Sequence, residues 1–507
     1  MQQLELGKTE KSTKFDELSR AELIRHTEVL ESELARAVKE VYRLKYRNLT
    51  DDQLNLVLME HLNELRHEIY GASSERYKKP AKAPRQETPL KAPRVRKPSE
   101  RYPNVPVRDV VVTMTPLPGC DVCGKQMSDS GMTEDAEQLT VTPKKYEILR
   151  TRRSIYRCSC QSCMKTAPNP PRIVEGSSYS DEMITDVALS KYCDLIPVER
   201  YVQMAARGGL KDLPPHSLID LTHKFAEFVK VVYLEIKAGV LRARVLSADE
   251  TPHKMLERSE KKTWYLWGFS TPRLCYLECH DTRSGDVASE MLKSSACEIL
   301  LTDVYSGYSK GTRLANIERR SAGRGLIKNS YCNAHARRNF FKIYRKYPEA
   351  EFYLEKYHEI GQMNSSARGQ PASEILAARE RMRPYFEAMR VRATEELDRY
   401  PNGNKYRLAL SYYLDNYEGL TLCLSDAEIP IDNNAQERLL RSHVVGRKTW
   451  YGTHSEQGAE TAAIMFSIVE TCKLNGVNPR EYFQSLVEDL LAGGRHYTPA
   501  EYKATNA

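Results

Sequence analysis

No stretch of this chain approaches the ~20 consecutive apolar residues that a membrane-spanning helix requires. The opening segment, MQQLELGKTEKSTKFDEL, also lacks the apolar core of a secretory signal. Both absences lead us to expect a cytoplasmic protein, whose twelve cysteines serve as thiols or metal ligands rather than disulfides. Charge excess is missing over most of the length as well. The formal net charge is +8, yet residues 76–108 alone hold eleven Lys or Arg against two Glu, a balance of +9, so the remainder is close to neutral. Seven prolines fall in the same stretch, which excludes helix and predicts an extended basic linker suited to a phosphate backbone. A solvated spacer that binds nothing is the alternative.

What is present implies several domains. A chain of 507 residues with 41% hydrophobic content can bury more than one core. Over residues 15–75, Leu23, Leu30, Ala37 and Leu44 fall seven apart, with Leu34 and Val41 on the alternate seam and Thr27 interrupting it. A second amphipathic piece carries Leu54, Leu58, Leu62, Leu65 and Ile69. This is the pattern of a short dimeric coiled coil, or of an intramolecular helical hairpin.

After the linker, Cys120 and Cys123 form one C-x-x-C pair and Cys160 and Cys163 a second, with Cys158 able to replace Cys160. Each C-x-x-C turn can bring two thiolates onto one tetrahedral ion, and such an ion holds together a small domain that lacks a core. A zinc ribbon with a structural ion is expected over 109–172. Residues 180–240 read as helices, the last of them running from about Ser217 to Val240, with Gly208 and Gly209 breaking the second from the third. A helix-turn-helix DNA reader and an ordinary small bundle both fit.

From residue 241 the text turns strand-like in five segments: RVLSADE, TWYLWGFST, RLCYLECHDT, EILLTDVYSG and NSYCNAH. The first three are close enough for hairpins, and the last two are each preceded by room for a crossover. That predicts a mixed-sheet α/β fold. Cys275, Cys279 and His280 are metal-ligand types but lie in strand text and are expected in the core. Residues 340–425 are charged and helical, and helical periodicity returns after 426.

Two of these strands set an acid against an apolar run: Asp249 in the first and Asp303 in the fourth. The first is expected to stop there, at Thr251 and Pro252. Neighbouring Glu250 is a rival to Asp249, and period-two alternation puts the two on opposite faces. In IDNNAQERLLR, Glu437 lies on a helix with Arg438 and Arg441, where an i to i+4 ion pair with Arg441 is the plain alternative. Acids that converge repel one another unless divalent cations neutralise them, and oxygen ligands suit Mg²⁺ or Mn²⁺.

These blocks, in this order, resemble the DDE transposases of the insertion-sequence-66 family. The resemblance rests on SADETP, LTDVYSGY, CNAHARRNFF and IDNNAQERLLRSHVVGRKTWYG. GASSER, the cysteine pairs, SKYCDLIPVERY and the leucine-rich N-terminus add to it. It implies a ribonuclease-H-like core over 241–339 and 426–470, interrupted by a helical insertion at 340–425 and followed by a helical tail at 471–507. It further implies Asp249, Asp303 and Glu437 as the acidic triad, two Mg²⁺ or Mn²⁺ ions, and binding of terminal inverted repeats and target DNA by a nucleoid-associated bacterial protein. A homodimer is expected, and small companion proteins encoded by the same element are a further expected partner. Asn333 departs from the family, which usually carries an aromatic there. His335, Arg337, Arg338, Arg438, Arg441, Arg447 and Lys448 are candidates for DNA phosphates. Trp450 and Tyr451 offer base stacking or core packing. The rival functions are a zinc-ribbon regulator with a silent core and a metal nuclease that cuts without joining.

Overall fold

The computed structural model describes Arg36 and residues 97–506, with breaks at 114, 116, 129–130, 133–135, 142–143, 158, 160–161 and 257–260. The coiled coil expected over 15–75 and most of the basic linker fall outside the described residues. The chain divides into two compact units, Ala72–Ile148 with Gly208–Leu210, and the remainder.

In the smaller unit the end of the linker is not wholly extended. Pro98–Arg101 forms a single helical turn (α1), with Pro98 at its first position. Proline is tolerated there because the first helical N–H groups have no intrahelical partner. Ser99 donates from both its backbone N–H and its hydroxyl to Glu137, each at 2.9 Å. Further on, Cys120 N–H donates to Lys125 O and Gly124 N–H to Cys120 O, which closes a tight turn around Cys120 and Cys123.

From Leu149 the larger unit carries a small antiparallel ribbon, β1 (Ile155–Arg157) and β2 (Met164–Thr166). Four helices follow: α2 (Asp181–Tyr192), α3 (Val198–Arg207), α4 (Pro215–Phe228) and α5 (Lys230–Leu241). The single long helix expected from Ser217 to Val240 is two helices. Val229, at φ −92° and ψ 5°, leaves the helical range between them.

The five expected strands form one mixed sheet. They are β3 (Val245–Lys254), β4 (Thr263–Ser270), β5 (Cys275–His280), β6 (Ile299–Thr302) and β7 (Lys328–Tyr331), in spatial order β5-β4-β3-β6-β7. The first three run antiparallel as hairpins, while β6 and β7 run parallel to β3. The crossovers hold α6 (Gly285–Lys293), capped by the Ser284 hydroxyl, and α7 (Ser306–Ser321). β3 does not stop at Asp249. It continues through Thr251 and Pro252 to Lys254, paired with β4 throughout. Pro252 is tolerated because β6 pairs β3 only over Val245–Ser247, so this end of β3 has a free edge for a residue without an N–H.

Beyond β7 come α8 (Asn333–Phe341), α9 (Ala350–Ser366), α10 (Ala372–Leu397), α11 (Lys405–Asp415) and α12 (Tyr417–Thr421). They bury a core rich in tyrosine, in which Phe340 stacks on Tyr353 at 4.1 Å between ring centroids. The chain then returns to the sheet as α13 (Asn434–Trp450) and α14 (Glu456–Asn475), and ends in α15 (Pro479–Leu491) and α16 (Pro499–Asn506). α14 is buried almost all round. Its Ser467 and Thr471 hydroxyls accept the N–H groups of Leu277 and Cys275 at 2.9 and 3.0 Å, covering what would otherwise be an open edge of β5. Cys275 is fully buried, as expected of strand text, and His280 pairs with Glu278.

Candidate metal centre

Register brings the two aspartates together. Ser247 pairs with Leu301 across the parallel strands, so Asp249 and Asp303 each stand two residues further along, past the end of the pairing. Adjacent strands lie about 4.8 Å apart and residues two apart share a face, so both carboxylates belong to one face at the same end of the sheet. Asp303 is fixed by accepting the Tyr305 N–H at 3.0 Å as the chain turns into α7.

The same face receives α13. Gly268 lies directly opposite Asp249 on β4, and a Cβ there would sit 2.3 Å from the Gln436 side-chain amide. The missing side chain is what lets the helix come so close. The inward stripe of α13 is Gln436, Leu440, His443 and Arg447, spaced by three and four. His443 meets His253 of β3 at 3.2 Å, and His253 reaches the Thr453 hydroxyl at 2.7 Å. Gly452, at φ +140°, lets the following loop lie against Lys254, whose carbonyl leaves no room for a Cβ. Burial holds His253 down to about 4 and His443 well below the usual histidine range, with Arg447 adding to both.

The start of α13 is pinned by two asparagines. The Asn433 side chain donates to Ala248 O at 2.9 Å, and its backbone N–H donates to Cys332 Sγ at 3.1 Å. Asn333, the departure from the family pattern, donates its side-chain amide to Leu420 O and Ile431 O at 2.9 and 3.1 Å. These bonds hold the first turn of α13, which carries Glu437, close enough to the sheet for its charge to act on Asp249. Sequence reasoning missed Gly268, Asn433 and Gln436; Asn433 stands at the helix start, yet its side chain bonds Ala248 O across to β3 instead of capping α13, which no local pattern signals.

Electrostatics tie the three acids into one site. Burial pushes Asp249 up to about 8, and the negative charges of Glu250, Asp303 and Glu437 reinforce the shift against a single backbone hydrogen bond from Glu250. Among the described residues no ion pair reaches Asp249. Glu250 is different. Its side chain, 2% exposed, accepts from Arg283 Nε at 2.8 Å and from the Tyr308 hydroxyl, so its charge is already matched.

On the Glu437 side, Glu437 Oε1 and His335 Nδ1 lie 3.7 Å apart, and both atoms are buried without a hydrogen-bond partner. Cys332 Sγ completes a Cys-His-Glu group whose ligand atoms all fall within 4.8 Å, close enough to hold a metal ion. His335 thus faces the acids rather than bulk solvent. Of the other basic candidates, Arg438, Arg441 and Lys448 are exposed along α13, while Arg447 is half-buried against the two histidines. Arg337 lies over the Phe341 ring and Arg338 is partly covered. Trp450 packs edge-on to Tyr192, whereas Tyr451 is exposed.

At the first cysteine pair, backbone N–H groups of Cys123 and Val122 bond to Cys120 and lower its thiol pKa. Cys163 is exposed just before β2, and Cys158 and Cys160 lie outside the described residues.

The protein is thus of the mixed-sheet α/β class, with acids at the same end of two neighbouring parallel strands and a third on a helix packed over them. The chain belongs to the transposase IS66 family, whose family model matches residues 176–461 and so spans all three acids. It is similar to three uncharacterized proteins of Sinorhizobium fredii (strain NBRC 101917 / NGR234). It is 25% identical to y4hP over 418 residues, covering 78% of this chain and 73% of that protein. It is 26% identical to y4jD over 390 residues, covering 74% and 75%, and 26% identical to y4qI over 466 residues, covering 88% and 82%. No helix among the described residues is long and apolar enough to cross a membrane.

Proposed function

We propose that this transposase-family chain binds the terminal inverted repeats of an insertion sequence and carries out metal-dependent DNA strand cleavage and strand transfer, with Asp249, Asp303 and Glu437 as its acidic triad. One observation carries the proposal: the charges of Asp303 and Glu437 both act on buried Asp249, and no ion pair with a cationic side chain neutralises it among the described residues. The strand order β5-β4-β3-β6-β7, three strands antiparallel and two parallel, supports a ribonuclease-H-like reading of the core. The helices α9–α12 between β7 and α13 support the reading of an insertion.

The donor set fits divalent cations, being carboxylate oxygens with one buried and unpartnered at Glu437. When bound, a pair of Mg²⁺ or Mn²⁺ ions would neutralise the carboxylates and activate a water or a 3′-hydroxyl for attack on a phosphodiester. The chain's own residues hold the geometry. Asn433 and the Gly268 gap fix α13, and with it Glu437, over the face that carries the aspartates, and Arg283 pairs with Glu250, which leaves Asp249 as the ligand of that strand. Arg438, Arg441 and Lys448 bind DNA phosphates beside it. Structural Zn²⁺ at Cys120 and Cys123 is supported by the N–H groups that lower the Cys120 thiol pKa. The second pair, Cys160 or Cys158 with Cys163, rests on the sequence pattern alone, as do the dimer through residues 15–75 and the companion proteins.

The test is joining. The purified chain, with the companion proteins of its element added in a parallel arm, is incubated with labelled DNA that borders its gene, a target plasmid and Mg²⁺ or Mn²⁺. Labelled end joined to plasmid supports strand transfer. Nicked end without joining supports a nuclease, and binding alone in both arms supports a regulator.

A further inference from the structure

The Glu437 corner of the site differs chemically from the aspartate side. His335 sits on the first turn of α8 and Glu437 on the first turn of α13, so two helix starts meet there, tied by the Asn333 bonds to Ile431 O. Between them lie His335 Nδ1 and Glu437 Oε1, within ion-pair range of each other but neither with a hydrogen-bond partner, on side chains 28% and 25% exposed. An acceptor oxygen and a ring nitrogen that simply bonded each other would sit about 2.7–3.2 Å apart. Two ligands at about 2.1 Å from a shared ion lie about 3–3.5 Å apart. The observed 3.7 Å is too long for the hydrogen bond and close to the ligand spacing. Leaving two buried polar atoms unsatisfied is costly, and a cation between them satisfies both.

We infer that His335 Nδ1 and Glu437 Oε1 are joint ligands of one divalent cation, so that this position takes a first-row transition ion such as Mn²⁺ in preference to Mg²⁺. Imidazole nitrogen is a good ligand for such ions, while Mg²⁺ holds to oxygen and retained water. Cys332 Sγ belongs to the same group of atoms, but it already accepts the Asn433 N–H at 3.1 Å. Its part is to hold the start of α13, and with it Glu437. The inference rests on the reading of Glu437 as a cation ligand and goes past it in two respects. It adds a nitrogen ligand to the acids, and it makes the two cation positions unequal.

The experiment is a Mn²⁺ titration of the full chain followed by electron paramagnetic resonance, with pulsed measurement of coupling to a coordinated imidazole nitrogen. Wild type, His335→Gln, Glu437→Gln and Asp303→Asn are compared, and Mg²⁺ affinity is measured by competition. The expected result is nitrogen coupling in wild type and in Asp303→Asn. In His335→Gln that coupling is lost, Mn²⁺ binds about tenfold or more weakly, and Mg²⁺ affinity changes less than about twofold. His335→Gln retains a polar side chain of similar reach, and its thermal melt should match wild type without metal. Coupling that persists in His335→Gln overturns the assignment. Coupling absent from wild type, with Mn²⁺ binding still abolished by Glu437→Gln, overturns the nitrogen ligand and leaves the triad standing. Mn²⁺ binding indifferent to both Glu437→Gln and Asp303→Asn overturns the triad reading with it.

Discussion

Asp249 and Asp303 occupy equivalent places on neighbouring parallel strands, each two residues past the last paired position of Ser247 with Leu301. Neither carboxylate has a basic partner in an ion pair among the described residues, and Asp249 is held up to about 8 by burial and by the surrounding acids. Burial and neighbouring acids both disfavour the charged form of Asp249, and the expectations below follow from that.

Asp249 should set a pH dependence on the metal-free protein. Its folded value, about 8, is raised above the unfolded value of about 3.9. The folded state therefore holds more protons than the unfolded state between those values, and stability falls as pH rises through that window. Chemical denaturation in chelator from pH 5 to 8 should show the loss, and Asp249→Asn should flatten it. Added Mg²⁺ should restore stability most at the alkaline end.

The histidine pair has the opposite sign. His253 is depressed to about 4 from an unfolded value of about 6.5, so its contribution is present above 6.5 and is lost as pH falls toward 4. The cost reaches about 3 kcal/mol for His253 if the site stays folded and dry. His253→Asn should reduce the acid sensitivity of the melting temperature between pH 6.5 and 5.

Gly268→Ala tests the approach of α13 to the sheet. The new methyl would meet the Gln436 amide and Leu277, and overpacking of this kind costs about 1–3 kcal/mol. The helix carrying Glu437 would shift, so Mg²⁺ affinity should fall along with thermal stability. Exposed Gly325, with open space around it and no left-handed backbone, offers a comparison in which Ala should leave Mg²⁺ affinity unchanged.

Removing charge along α13 should weaken DNA binding without choosing among sequences. Each phosphate that the protein no longer neutralises reduces the steepness of log K against log salt by about 0.9. Arg441→Gln and Lys448→Gln, both at exposed positions, should each show this. Arg447→Gln should show it less, because Arg447 is turned toward the histidines.

Some of this was legible beforehand. The five strands stood out because apolar runs were punctuated by turn residues, and the crossovers were implied by the text between them. Alternation alone put Asp249 and Glu250 on opposite faces, and the structure gives Glu250 its own partners in Arg283 and Tyr308. Other features depend on partners that local patterns do not name. Thr251 and Pro252 suggested a strand end, yet β3 runs on because its far edge is unpaired there. The break at Val229 has no proline or glycine to mark it. His335 carried the look of a basic helix face, and only the folding of α8 against α13 turns it toward Glu437.

If Asp249, Asp303 and Glu437 together hold the cations for DNA cleavage, strand cleavage on labelled element-end duplex should depend on all three. Wild type is compared with Asp249→Asn, Asp303→Asn and Glu437→Gln in Mg²⁺ and in Mn²⁺, with folding checked by circular dichroism. The expected result is a metal-dependent nick that exposes a 3′-hydroxyl at the element end and falls by about 10³-fold or more in each variant, the several kcal/mol that such ions supply. A nick that survives Asp303→Asn at the wild-type rate would contradict it.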